Sequence, residues 1–158
     1  MLSKNFSLKE LTASSTASRK GINNTPSEEQ VIALTALVNC VLQPVRDHYG
    51  KSVRVSSGFR SRALNAAVGG SRTSEHTLGQ AADFTVSGVS CKEVCEWIAN
   101  ESGLEWNQLI FERRFDSTGK ETTQWIHVSC SRHGDNKKQV LTAFVRPGKA
   151  EYVTGIVD

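Results

Sequence analysis

Between Pro26 and Gly50 the apolar residues fall at Val31, Leu34, Leu37, Val38, Val41, Leu42 and Val45, which is helical spacing. The stretch opens on proline and acids and closes on glycine, so one main helix is predicted over 26–50, bent near Pro44. Upstream, "SLKE" (Ser7 to Glu10) has the S-x-x-E form of a capping box and predicts a short helix. "ASSTASRKGINNTP" (13–26) is small, polar and broken by Gly, Asn and Pro, and predicts a loop. "SVRVSSGF" (52–59) alternates and is rich in β-formers, and "AADFTV" (81–86) reads the same way, so both predict strands. "SRALNAAVGG" (61–70) predicts a short helix closed by two glycines. "SCKEVCEWIANES" (90–102) predicts a second amphipathic helix stopping at Gly103. "NQLIFERRF" and "TTQWIHVSC" flank "DSTGKE" as a hairpin, and "QVLTAFVRPGKAEYVTG" (139–155) adds either a strand or a tail segment.

The order is helices first, then a sheet with one helix inserted. That predicts an α+β fold: a small, mostly antiparallel sheet with helices packed on it. No repeat, low-complexity tract or linker divides the chain, so a single domain over 1–158 is expected.

Composition narrows the classes without naming one. Hydrophobic residues make up 38% and charged residues 22% of the 158, a globular balance. No apolar run approaches the roughly 18 residues of a membrane span, and "MLSKNFSLKE" has no apolar core of a secretory signal. A cytoplasmic chain with no membrane partner is therefore expected. The net charge of +3 is mild, and no basic stripe with interleaved aromatics suggests nucleic acid. "RHGDNKK" (132–138) reads as a solvated loop, and a monomer is expected. Four cysteines, none in CxxC spacing, are expected as free thiols.

The chemistry concentrates in "SEHTLGQAAD" (74–83), which sets His76 and Asp83 around Gly79 and small residues. Gly79 can take positive φ and turn the chain back, and Ala81 and Ala82 leave room beside Asp83. Imidazole nitrogen and carboxylate oxygen suit zinc, and a catalytic site takes three such ligands. Of the remaining histidines, His48 ends the main helix and His133 lies in the basic loop. His127 lies within a strand between apolar neighbours, so it is either a hydrogen-bonded core residue or the third ligand.

Four stretches together resemble the zinc D-Ala-D-Ala carboxypeptidases and their phage endolysin relatives, which share a fold with the hedgehog signalling domain. "SSGFRS" (56–61) resembles the family's SGxRS segment, and "SEHTLGQAAD" matches its S-x-H-x-x-G-x-A-x-D signature. "NQLIFE" (107–112) resembles the strand carrying an acid, and "WIHVS" (125–129) the strand with the last histidine. With "FSLKELTASSTA" at the start, the resemblance covers about residues 6–130. It implies a hedgehog-like fold, one zinc ion on His76, Asp83 and His127, and hydrolysis of peptide bonds in peptidoglycan stem peptides. It also implies that Arg60 stabilises negative charge on the intermediate. Ser74, Gln108 and Trp125 are expected to line the substrate cleft, with Trp125 and His127 on one side of their strand. A stored, phage- or prophage-type lysin fits the expected lack of a signal segment.

One departure matters. Where many relatives carry an acid three residues before the last histidine, this chain has Gln124, and where others carry a histidine two before it, Trp125. Glu112 on the neighbouring strand is then the expected general base, with Glu75 as the alternative. The same departure keeps open a non-catalytic, zinc-stabilised module that binds wall or protein ligands.

Overall fold

The computed structural model describes all residues, Met1–Asp158. Helix α1 (Leu8–Thr12) starts at the capping box: the Ser7 side chain accepts from the Glu10 amide while the Glu10 carboxylate accepts from the Ser7 amide. The expected loop at 13–26 contains a helix, α2 (Ser15–Lys20). Its local signals are short-range: Ser14 accepts from the Ala17 amide, and Gly21 closes the turn at φ 65°. Buried Ala17 then anchors one turn that apolar periodicity could not reveal.

The main helix forms as α3 (Glu28–Leu37), a π-helical segment (Val38–Leu42) and α4 (Gln43–Tyr49). The irregularity expected near Pro44 is therefore a widened turn just before it. Pro44 has no N–H for the preceding turn, and the Gln43 amide reaches back to the Val38 carbonyl. Leu34, Leu37, Val38, Val41, Leu42 and Val45 are all buried.

Strands β1 (Val53–Ser57), β2 (Ala81–Val86), β3 (Gln108–Phe115), β4 (Glu121–Ser129), β5 (Gln139–Arg146) and β6 (Lys149–Thr154) form one sheet in the order β1-β2-β4-β3-β5-β6. The sheet is mixed, which corrects the expectation of a mostly antiparallel one: β5 runs parallel to β3. The register explains why. β4 ends where β3 begins, with Ser129 opposite Gln108, and its other edge is already paired with β2. The chain from 130 to 138 crosses the start of β3, where Lys138 and Gln139 donate to the Trp106 and Asn107 carbonyls. β5 must then leave in the direction of β3. The segment read as a strand or tail forms two strands, joined through Pro147 and Gly148, with Gly148 at φ 70°.

Helix α5 (Arg62–Ala67) follows β1, and helix α6 (Cys91–Asn100) covers one face of the sheet together with the main helix. Phe84, Phe111, Ile126 and Val128 join Leu34, Leu42, Val94 and Ile98 in a core of 23 buried residues. The cysteines are free thiols; Cys91, Cys95 and Cys130 are buried. No helix is long and apolar enough to cross a membrane.

Candidate metal centre

The opposite face carries the charged groups. Strand alternation puts Ala82, Phe84 and Val86 into the core, so Asp83 projects the other way, directly paired in register with His127. His76 reaches the same point from a 3₁₀ turn (Glu75–Leu78) that precedes β2. Gly79 ends that turn at φ 73°, and a Cβ there would meet the Gln30 carbonyl at 2.7 Å. Glycine thus serves both the backbone angle and the close approach of the main helix.

His127 Nδ1 lies 2.9 Å and His76 Nε2 3.4 Å from Asp83 Oδ1. One ligand atom from each residue lies within 4.8 Å of the others, a spacing suited to a single ion. The other nitrogen of His76, Nδ1, is 2.7 Å from the Gly58 carbonyl. A carbonyl only accepts, so Nδ1 carries a proton, and Nε2 is the nitrogen that faces the site. Gly58 has no room for a side chain, since a Cβ would lie 2.3 Å from the Leu11 carbonyl. The donor set of two imidazoles and a carboxylate fits zinc. Burial works against ionisation of Asp83, but hydrogen bonds from His127 and His76 outweigh it and hold the carboxyl well below its usual range. Burial likewise lowers the His127 pKa, and the Asp83 carboxylate reverses this and raises it overall.

A cleft of about 500 Å³ opens over the trio, and Arg60, Ser74, Gln108, Glu112 and Trp125 all line it. Glu112 is opposite Trp125 on paired strands, one step along the face from His127. Burial, then the charge of Asp83, raises its carboxyl to about 7, against the lowering effect of His127, Arg114 and Arg60. Arg60 is held in a frame: its Nε donates to Ser57 Oγ at 3.1 Å and its Nη1 to Asn65 Oδ1 at 3.3 Å, leaving Nη2 3.7 Å from Asp83 Oδ2. Buried Asn65 is fixed in turn by donating to the Ser71 carbonyl. Ser74 caps the 3₁₀ turn, and Gln108 donates to Gln139 at 3.0 Å. Trp125 lies under the Arg114 guanidinium, 5.2 Å from the ring centroid.

The alternative acid, Glu75, is engaged. It accepts from Ser129 Oγ at 2.8 Å and from the Asn107 amide at 3.2 Å, tying the 3₁₀ turn to β4 and to the residue before β3. Gln124 alternates away from His127, and its amide donates to Glu121 at 3.1 Å. Of the two positions that depart from the resemblance, Gln124 thus lies outside the cleft and Trp125 lines it. His48 stacks on Trp97 with centroids 4.0 Å apart, and His133 is exposed, so neither approaches the trio. Reading the sequence missed the Gly58 carbonyl, Asn65 and Tyr152, which also lines the cleft. The first two sit inside recognisable segments. Tyr152 carries no local signal, because only sheet register brings it there.

The fold and this face define a class: an α+β domain with a three-residue cluster that could hold a metal ion in a cleft, beside a buried carboxyl and a braced arginine. The family model for peptidase M15 matches residues 4–129, and the chain belongs to that family of metallopeptidases. No curated protein matches the chain.

Proposed function

We propose that the chain is a zinc metallopeptidase that hydrolyses peptide bonds in peptidoglycan stem peptides, as a D-Ala-D-Ala carboxypeptidase or an endolysin-type endopeptidase. The observation that carries the reading is the convergence of His76, Asp83 and His127 in one cleft with Glu112 and Arg60. His76, Asp83 and His127 would hold the ion. When bound, zinc supplies a Lewis acid and lowers the pKa of a water toward about 7.

The chain's own groups do the rest. Glu112 takes a proton from the attacking water and returns it to the leaving amine, a cycle that needs a carboxyl poised near working pH. Burial and the Asp83 charge raise its carboxyl to about 7 in the metal-free protein, and a bound zinc would lower it from there. Arg60 faces the oxygen that becomes negative, and its frame of Ser57 and Asn65 fixes the guanidinium in advance. Ser74, Gln108 and Trp125 contact the peptide. The module acts as one domain.

The test is digestion of purified muropeptides by the zinc-loaded protein, with product masses read with and without chelator. Hydrolysis that stops on chelation is expected, and the mass lost names the bond. Intact muropeptides after incubation with the fully zinc-loaded protein would reject the peptidase reading and leave a binding module.

A further inference from the structure

The hairpin of β5 and β6 lies beyond residue 129, outside the segment that the family model matches. It nevertheless reaches the cleft. Across the sheet, Trp125 pairs with Glu112, Glu112 with Ala143, and Ala143 with Tyr152, so one row of residues crosses β4, β3, β5 and β6. Ala143 is fully buried and small, and beyond it Tyr152 lines the cleft together with Glu112. β6 is exposed along its whole length, and Tyr152 itself is 57% exposed. No core packing therefore accounts for an aromatic side chain there. Its hydroxyl makes no side-chain hydrogen bond within the protein. Burial and the Glu112 carboxylate both push the phenol's pKa up, so it remains a donor.

Resting on the peptidase reading, we propose that Tyr152 is a substrate-contacting, specificity-determining residue that the C-terminal hairpin adds to the cleft. Strands spaced about 4.8 Å apart set β6 roughly 14 Å from β4, and the length of a tyrosine side chain that lines the cleft shortens that span. Tyr152 then meets an extended peptide about two or three residues from the bond that lies over the trio. Its ring covers small apolar side chains of the peptide, and its hydroxyl donates to a peptide carbonyl or carboxylate. Arg60 follows β1, the sheet edge opposite β6, so the two residues bracket the bound chain.

The chain has two tyrosines, which makes chemical nitration a clean probe. The zinc-loaded full chain is treated with tetranitromethane, with and without soluble muropeptides, and each tyrosine is read by mass spectrometry. Muropeptides are expected to slow nitration of Tyr152 by about fivefold or more and to leave Tyr49 unchanged. In turnover, Tyr152→Ala is expected to raise KM about tenfold at unchanged zinc content, with kcat within about twofold; Tyr152→Phe should fall between it and wild type. Unprotected Tyr152 at saturating muropeptide, or wild-type kcat/KM in Tyr152→Ala, would overturn the proposal. Should the wild-type protein fail to turn over muropeptides at all, the peptidase reading falls, and the nitration comparison alone decides the role of Tyr152.

Discussion

Along β4, Ile126 and Val128 are fully buried against the helices, while Trp125 and His127 line the cleft. β2 and β3 divide the same way: Phe84 and Phe111 belong to the core, Asp83 and Glu112 to the cleft. Neighbouring residues on one strand therefore live in opposite environments. On the core face the buried groups are mostly apolar and their contribution is packing. On the cleft face two carboxyls and two imidazoles crowd together, and the Asp83 charge itself helps to raise Glu112. One face stabilises the fold by packing; on the other, Asp83 and His127 stabilise each other's charge, while burial and the Asp83 charge oppose ionisation of Glu112.

The largest test of this division removes a ligand. His76→Ala and His127→Ala should each lose most of the bound zinc and all measurable hydrolysis, read by metal analysis and turnover, while circular dichroism shows an intact fold. Full zinc retention in both would end the metal assignment. Next, Glu112→Gln should keep its zinc and lose about 10²–10⁴ in kcat. Wild-type activity in Glu112→Gln together with a dead Glu75→Gln would move the base to Glu75. On the core face, Phe84→Ala should cost about 3–5 kcal/mol in chemical denaturation of the metal-free protein, beside an untouched Asp83.

Two smaller effects sharpen the contrast. Gly58→Ala pushes a methyl against the Leu11 carbonyl and displaces the acceptor that orients His76. Zinc affinity should fall about 10–100-fold, measured by competition with a chelator. Finally, the Glu112 pKa is raised in the fold, to about 7, so the native state binds more protons than the unfolded chain between about 4.5 and 7. Stability of the metal-free protein contributed by this group is present below that window and lost as pH rises through it. Glu112→Gln should therefore stabilise the metal-free protein at pH 8 by about 1–3 kcal/mol and change little at pH 4. Activity has the opposite sense: a base must be ionised, so kcat/KM should rise with pH through an acid limb. The positive charge of a bound zinc moves that limb downward. An activity flat from pH 4 to 8 would exclude Glu112 as the base.

Much of the site could be read in advance because its parts are local. His76, Gly79 and Asp83 lie in one short turn-and-strand segment, where period-two alternation already separates Asp83 from the core residues Ala82 and Phe84. The same alternation places Trp125 beside His127 and Gln124 away from it. Helix α2 escaped because Ser14, Ala17 and Gly21 set it by capping and one buried methyl, with too few apolar residues for a period. The engagement of Glu75 escaped because Ser129 is far along the chain, and nothing near Glu75 announces that partner.

Sequence alone determined the strand and helix faces, since burial of apolar side chains requires residues of one kind to recur at the period of the element. It also determined the ligand trio as a set of candidates, through residue chemistry and short spacing. Tertiary structure decided what depends on contacts between distant segments. The pairing of β3 with β5 follows from which sheet edge remained free after β2 had bound β4. The raised pKa of Glu112 comes from burial and a charge on another strand. The arrival of Tyr152 in the cleft depends on a register summed over three strand pairings, each set by hydrogen bonds that no single segment encodes.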